Sequence, residues 1–84
     1  MLELTPRAVD ALRVADSAAK RFNPRARIRL VRANPGVRAD LTDELEPGDA
    51  VVELEGFAVD VEPGLDGIVD AGEHQVLTFE PRPS

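Results

Sequence analysis

The stretch from Gly48 to Gly64 constrains this chain more than any other, because it spells a β-hairpin. Ala50-Val51-Val52-Glu53-Leu54 runs into Glu55-Gly56, and Phe57-Ala58-Val59-Asp60-Val61 runs back. A two-residue turn with Gly in second place suits the mirror-image turns that match strand twist. The turn sets the register: Leu54 faces Phe57, Val52 faces Val59 and Ala50 faces Val61. Side chains alternate along a strand, so these six share one apolar face. The opposite face sets Glu53 beside Ala58 and Val51 beside Asp60, and its carboxylates are expected in solvent. Pro47-Gly48 and Pro63-Gly64 bracket the hairpin as loop signals.

Before the hairpin the chain reads as strand, helix and two strands. Leu2 and Leu4 flank Glu3 in a short strand. Thr5-Pro6 then reads as a helix N-cap followed by Pro at the first helical position. Ala8, Leu12, Ala15, Ala19 and Phe22 recur at helical spacing and predict one buried stripe on a helix from about Pro6 to Phe22. Arg7, Asp10, Arg13, Asp16 and Lys20 lie mostly off that stripe. Asn23-Pro24 ends the helix, since a residue before Pro avoids the α region. In Arg27 to Arg32, Ile28 and Leu30 point inward while Arg27 and Arg29 point outward. Asn34-Pro35-Gly36 turns the chain, and Val37, Ala39 and Leu41 alternate in a partner strand.

After the hairpin come short strands at Ile68–Asp70 and at Gln75–Phe79, separated by a turn at Ala71–His74. Pro81 and Pro83 close the sequence, with the last residues expected to fray. With one helix and no later one to build crossovers, the sheet is expected to be largely antiparallel. The fold class is mainly β (α+β), a single domain of residues 1–84. It is a compact sandwich or partly closed barrel of six to seven short strands with one N-terminal helix.

Composition narrows the chemistry. The 84 residues contain no Cys and one His, which removes disulfides, thiolate sites and cysteine nucleophiles. Without a signal-peptide pattern or an apolar run long enough to span a bilayer, a cytoplasmic protein is expected and no membrane partner. The net charge of −6 is unevenly spread. Residues 1–32 carry eight Lys/Arg against three Asp/Glu, and residues 33–84 carry two against thirteen. Oppositely charged segments packed together explain this most simply, the arginines pairing across strands with the acidic half. The alternative is a partner surface on Arg25, Arg27, Arg29 and Arg32. Nucleic acid is not expected there, since stacking aromatics are missing and the net charge opposes it.

Catalytic residues are not identifiable. Glu53 and Asp60 alternate with apolar residues as solvent-facing groups do, and no nucleophile, phosphate loop or triad pattern accompanies them. The acidic run Asp40, Asp43, Glu44, Glu46 and Asp49 lacks the spacing of a calcium loop. Asp70, Glu73 and His74 are weak metal candidates, and an exposed loop His is ordinarily unliganded. No cofactor is expected.

The order of elements, with several local patterns, resembles the HesB/IscA-like family of A-type iron–sulfur carrier domains. Leu4-Thr5-Pro6-Arg7-Ala8 resembles the family's Leu-Thr-x-x-Ala helix start. Ile28-Arg29-Leu30-Val31 resembles its arginine-bearing strand. Gly48 to Pro63 looks like its Asp-x-Val…Asp-Gly-Val-x-Val-x-Val hairpin, Ile68-Val69-Asp70 like its Gly-x-x-Ile-Asp step, and Phe79-Glu80-Pro81 like its Phe-x-Asn-Pro ending. The likeness covers about residues 2–81 and rests on order and spacing. It implies a cluster held by one cysteine in the loop after the arginine-bearing strand and by a Cys-x-Cys beyond the Phe-x-Asn-Pro step. Here the loop reads Ala33-Asn34-Pro35-Gly36-Val37, with Asn34 near the cysteine position, and the tail reads Pro81-Arg82-Pro83-Ser84. The resemblance therefore implies a non-catalytic, cysteine-less relative that acts by contact with a protein partner or with itself. The alternative is a metal-binding protein that uses carboxylates and His74 in place of thiolates.

Overall fold

The structure is a computed structural model that describes residues 2–33 and 36–82. Seven strands and one helix follow in the order β1 (Leu2–Leu4), α1 (Pro6–Phe22), β2 (Arg27–Arg32), β3 (Val37–Thr42), β4 (Ala50–Leu54), β5 (Phe57–Val61), β6 (Gly67–Ala71) and β7 (Leu77–Pro81). A single 3-10 turn at Glu73–Gln75 links β6 to β7. The expected turn at Asn34-Pro35 and the last two residues, Pro83 and Ser84, lie outside the described residues.

The strands form two sheets and no closed barrel. One has the order β3-β2-β5-β4 and the other β1-β6-β7. Three of the five pairings are antiparallel; β1 with β6 and β2 with β5 are parallel. The largely antiparallel expectation thus needs correction at two places. Parallel neighbours need long connections, but those connections need not be helical. Here the β3 and β4 strands carry the chain from β2 to β5, and most of the domain lies between β1 and β6.

The hairpin forms with the expected register, Leu54 opposite Phe57, Val52 opposite Val59 and Ala50 opposite Val61. Its turn is not a mirror-image form. Those require positive φ at the first central residue, and here only Gly56, in second place, has it, at 82°. The last strand runs Leu77–Pro81, later than expected, because Gln75 is taken up by the 3-10 turn.

Helix α1 begins and ends where its signals lie. The Thr5 Oγ1 accepts the Ala8 N–H at 3.2 Å, with Pro6 next in line. At the other end the Asn23 N–H still donates to the Ala19 carbonyl before Pro24 breaks the pattern. Ala8, Leu12 and Ala19 are buried as the stripe requires, joined by Ala11. Two positions depart from expectation. Phe22 is 92 % exposed, and Asp16 is buried, its carboxylate paired with Lys20 one turn on.

Between helix and sheets lies one core of Ala8, Leu12, Ile28, Leu30, Val37, Val59, Val61, Leu65 and Val69. Leu12, Ile28, Leu30, Val59 and Val69 are almost wholly withdrawn from water. Each contributes about 1.5–3 kcal/mol by that burial.

Candidate functional site

The two segments that matter most for the iron–sulfur resemblance meet at one place. The end of β2 with the loop after it, and the end of β7, line a shared cleft of about 370 Å³ built from Arg32, Ala33, Gly36, Asp66, Phe79 and Pro81. Its frame is polar and closely bonded. The Arg32 guanidinium donates to the Gly64 carbonyl at 3.0 Å, and its backbone N–H donates to the Glu62 carboxylate at 2.7 Å. Arg82 donates through Nε to Asp66 at 2.9 Å and lies 3.6 Å from Glu3, and its N–H reaches the Asp66 carbonyl. The Asp66 carboxylate raises the Arg82 pKa above its ordinary value. Next to Asp66, at the start of β6, the backbones of β6 and β7 pack tightly, for a Cβ added to Gly67 would lie 2.2 Å from the Glu80 carbonyl oxygen.

This donor set does not fit an iron–sulfur cluster. Such clusters are held by soft thiolates, with imidazole as the usual substitute. The cleft offers guanidinium, carboxylate and backbone carbonyl groups, and the 84 residues hold no cysteine. Asn34, nearest the family's loop cysteine, lies outside the described residues. The single imidazole is at the wrong end of the sheet. Gly67 pairs with Pro81 at the cleft, whereas Ala71 pairs with Leu77 at the other end, where the turn carries His74. Four residue steps at about 3.3 Å separate the two ends by about 13 Å.

The metal candidates divide. The Asp70 carboxylate accepts the Thr5 hydroxyl at 2.6 Å and the Ala71 N–H at 2.8 Å. Those bonds, the Thr5 one foremost, hold its carboxyl below the usual carboxylate range. Asp70 thus braces the helix N-cap. Glu73 and His74 are exposed on the 3-10 turn, His74 in the left-handed region at φ 58°. No group of three or more His, Cys, Asp or Glu side chains placed to hold a metal occurs among the described residues.

Two of the four arginines named as a partner surface, Arg27 and Arg29, pair with acids of the second half. Arg27 grips Asp60 with two bonds of 2.7 Å, and Arg29 grips Asp49 at 2.7 and 3.0 Å. Both guanidinium pKa values are raised, foremost by these bonds, and the Asp49 carboxyl is lowered by Arg29. Arg25 sits in the turn before β2, apart from the strand face, and Arg32 belongs to the cleft. From the acidic run, Asp40 pairs with Arg38 and Asp49 with Arg29.

Asp60 requires a correction. Expected in solvent, it is 1 % exposed. Strand alternation correctly puts it on the outer face of β5. That strand is interior to its sheet, however, and Arg27 from neighbouring β2 reaches across and covers it.

Among solved structures, the chain is similar to IscA in its crystal structure with the [2Fe-2S] cluster, with a TM-score of 0.51 and 25 % sequence identity, covering 95 % of this chain and 82 % of that one. No family model and no curated protein matches the sequence. The fold is therefore IscA-like. Among the described residues no helix is long and apolar enough to cross a membrane.

Proposed function

We propose that this chain is a divergent HesB/IscA-like scaffold that serves iron–sulfur assembly through protein contacts and neither ligates a cluster nor catalyses a reaction. The observation that carries the reading is a mismatch. An IscA-like fold spans 95 % of the chain, while the cleft where the loop after β2 meets the end of β7 offers arginine and carboxylate and no soft ligand. Cluster iron demands thiolate or imidazole. A two-fold dimer of this chain would bring only two imidazoles, and both would lie away from the cleft. The scaffold has meanwhile kept a well-bonded frame, with Arg32 and Arg82 each tied to the loop between β5 and β6.

The test is anaerobic reconstitution with iron and sulfide, followed by metal and acid-labile sulfide analysis beside an untreated sample. Neither iron nor sulfide above background is the expected result. Stoichiometric iron with sulfide would overturn the reading. Iron, zinc or calcium without sulfide, together with a melting temperature that rises with the metal, would replace it with carboxylate and His74 chemistry.

A further inference from the structure

Two inward-facing apolar stripes run past the end of the core and emerge at the same spot. On α1 the stripe of Ala8, Leu12, Ala15 and Ala19 continues to Phe22, which is 92 % exposed. On β3 the alternation that buries Val37 and half-buries Ala39 continues to Leu41, 62 % exposed. Phe22 and Leu41 line one open groove of about 310 Å³, with Ala19 and Ala26, each 8 % exposed, beside them. A lone exposed apolar side chain is ordinary. Here two large ones flank buried alanines, at positions that each element's own pattern assigns to a buried face.

We infer that the groove is a self-association site, filled by the Phe22 of a second copy related by a two-fold axis. Charge selects this occupant. The helix side is flanked by Arg21 and Arg25, the strand side by Asp43 and Glu44. All four are exposed, and none has a side-chain hydrogen bond or ion pair among the described residues. A uniformly acidic or basic partner would satisfy one flank and oppose the other. A two-fold axis running along the groove lays the cationic flank of each copy on the anionic flank of its mate, the self-complementary arrangement of an isologous interface. The area sets the strength. A phenylalanine carries about 150–250 Å², so two Phe22 and two Leu41 side chains fall short of the roughly 1,200 Å² of a stable interface. The dimer is accordingly weak and concentration-dependent. The net charge of −6 opposes approach at long range, and physiological salt screens that beyond about 8 Å. None of this depends on the iron–sulfur reading.

Sedimentation velocity in physiological salt, from about 10 μM to about 1 mM, covers the micromolar-to-millimolar affinities in question. The mass of the wild type is expected to rise from 9.1 kDa toward twice that value. Phe22→Ser is expected to weaken the association about 30-fold, as removal of a central aromatic anchor does. Its far-ultraviolet circular dichroism and melting temperature should match the wild type, since Phe22 makes little of the core. Charge reversal supplies the specific check. Arg21→Glu/Arg25→Glu makes the rim wholly acidic and Asp43→Lys/Glu44→Lys makes it wholly basic, so each alone should be monomeric and the mixture should pair. A wild type that keeps the monomer mass throughout would overturn the inference. So would association that survives Phe22→Ser, or reversed variants that pair no better mixed than apart.

Discussion

Replacing Arg27 with Met is the sharpest test of how the larger sheet is held together. Asp60 is 1 % exposed on an interior strand, and Arg27 supplies both of the bonds its carboxylate receives from side chains. Met keeps most of the aliphatic stem and removes the charge and the donors, so a buried carboxylate loses its counter-ion. Breaking a fully buried pair from one side costs about 3–5 kcal/mol. The Arg27 side chain is 32 % exposed, so water can partly replace it, and about 2–4 kcal/mol is the better figure. An 84-residue domain has about 4–13 kcal/mol in all. With a urea slope of about 1 kcal/mol/M, the unfolding midpoint should fall by about 2–4 M, enough to unfold a marginal domain. The double variant Arg27→Met/Asp60→Leu removes the orphaned charge and should recover most of the loss. A midpoint shift under about 0.5 M for Arg27→Met, or a double variant no better than the single, would refute the view that Arg27 neutralises a buried Asp60.

Three further outcomes follow from the same geometry. The Asp49 and Asp70 carboxyls have folded pKa values held down, Asp49 foremost by Arg29 and Asp70 foremost by the Thr5 hydroxyl. A depressed folded pKa contributes stability that is complete above the unfolded value, about 4, and lost as pH falls through the folded one. Urea midpoints should therefore be level near neutrality and decline from about pH 4 downward, with a shallower decline in Asp49→Asn and Asp70→Asn; a midpoint unchanged to pH 2 would count against this. Gly67→Ala should lower stability by about 1–3 kcal/mol in thermal melts, because the methyl meets the Glu80 carbonyl; a neutral outcome would mean the β6–β7 edge yields easily. Thr5→Ala should cost about 1 kcal/mol as a lost N-cap, and in a double-mutant cycle with Asp70→Asn the two effects should fall short of additive; full additivity would deny that they act together.

The elements whose signals are local were legible in the sequence. Thr5-Pro6 and Asn23-Pro24 mark the helix because capping and proline sterics act within a few residues. Glu55-Gly56 sets the hairpin register because a tight turn leaves no slack. What escaped depends on neighbours distant in sequence. Alternation says which face Asp60 occupies, but not that Arg27 lies over it. Helical spacing puts Phe22 on the core stripe, but the stripe outruns the core it serves. The parallel pairings bring together strands far apart in the chain, and no turn residue announces them. For the candidate site, the absence of cysteine was plain from composition, and the Arg–Asp pairing was anticipated from charge asymmetry. The groove between Phe22 and Leu41 was not, since its two halves each read as ordinary core positions.

The bracing of the helix start has a consequence for how the chain folds as it is made. Leu2 to Leu4 pair with Gly67 to Val69, the Thr5 N–H donates to the Val69 carbonyl, and the Thr5 hydroxyl donates to Asp70. A nascent chain emerges at about 5–20 residues per second, so the first strand waits several seconds for β6, its hydrogen-bonded neighbour among the described residues. In that interval α1 can form only as a frayed local helix, while the strands of the β2–β3 and β4–β5 pairs, neighbours in sequence, already have their partners at hand. Long-range closure of this kind folds more slowly than pairing between sequence neighbours. The first turn of the helix becomes fixed only when the last third of the chain arrives.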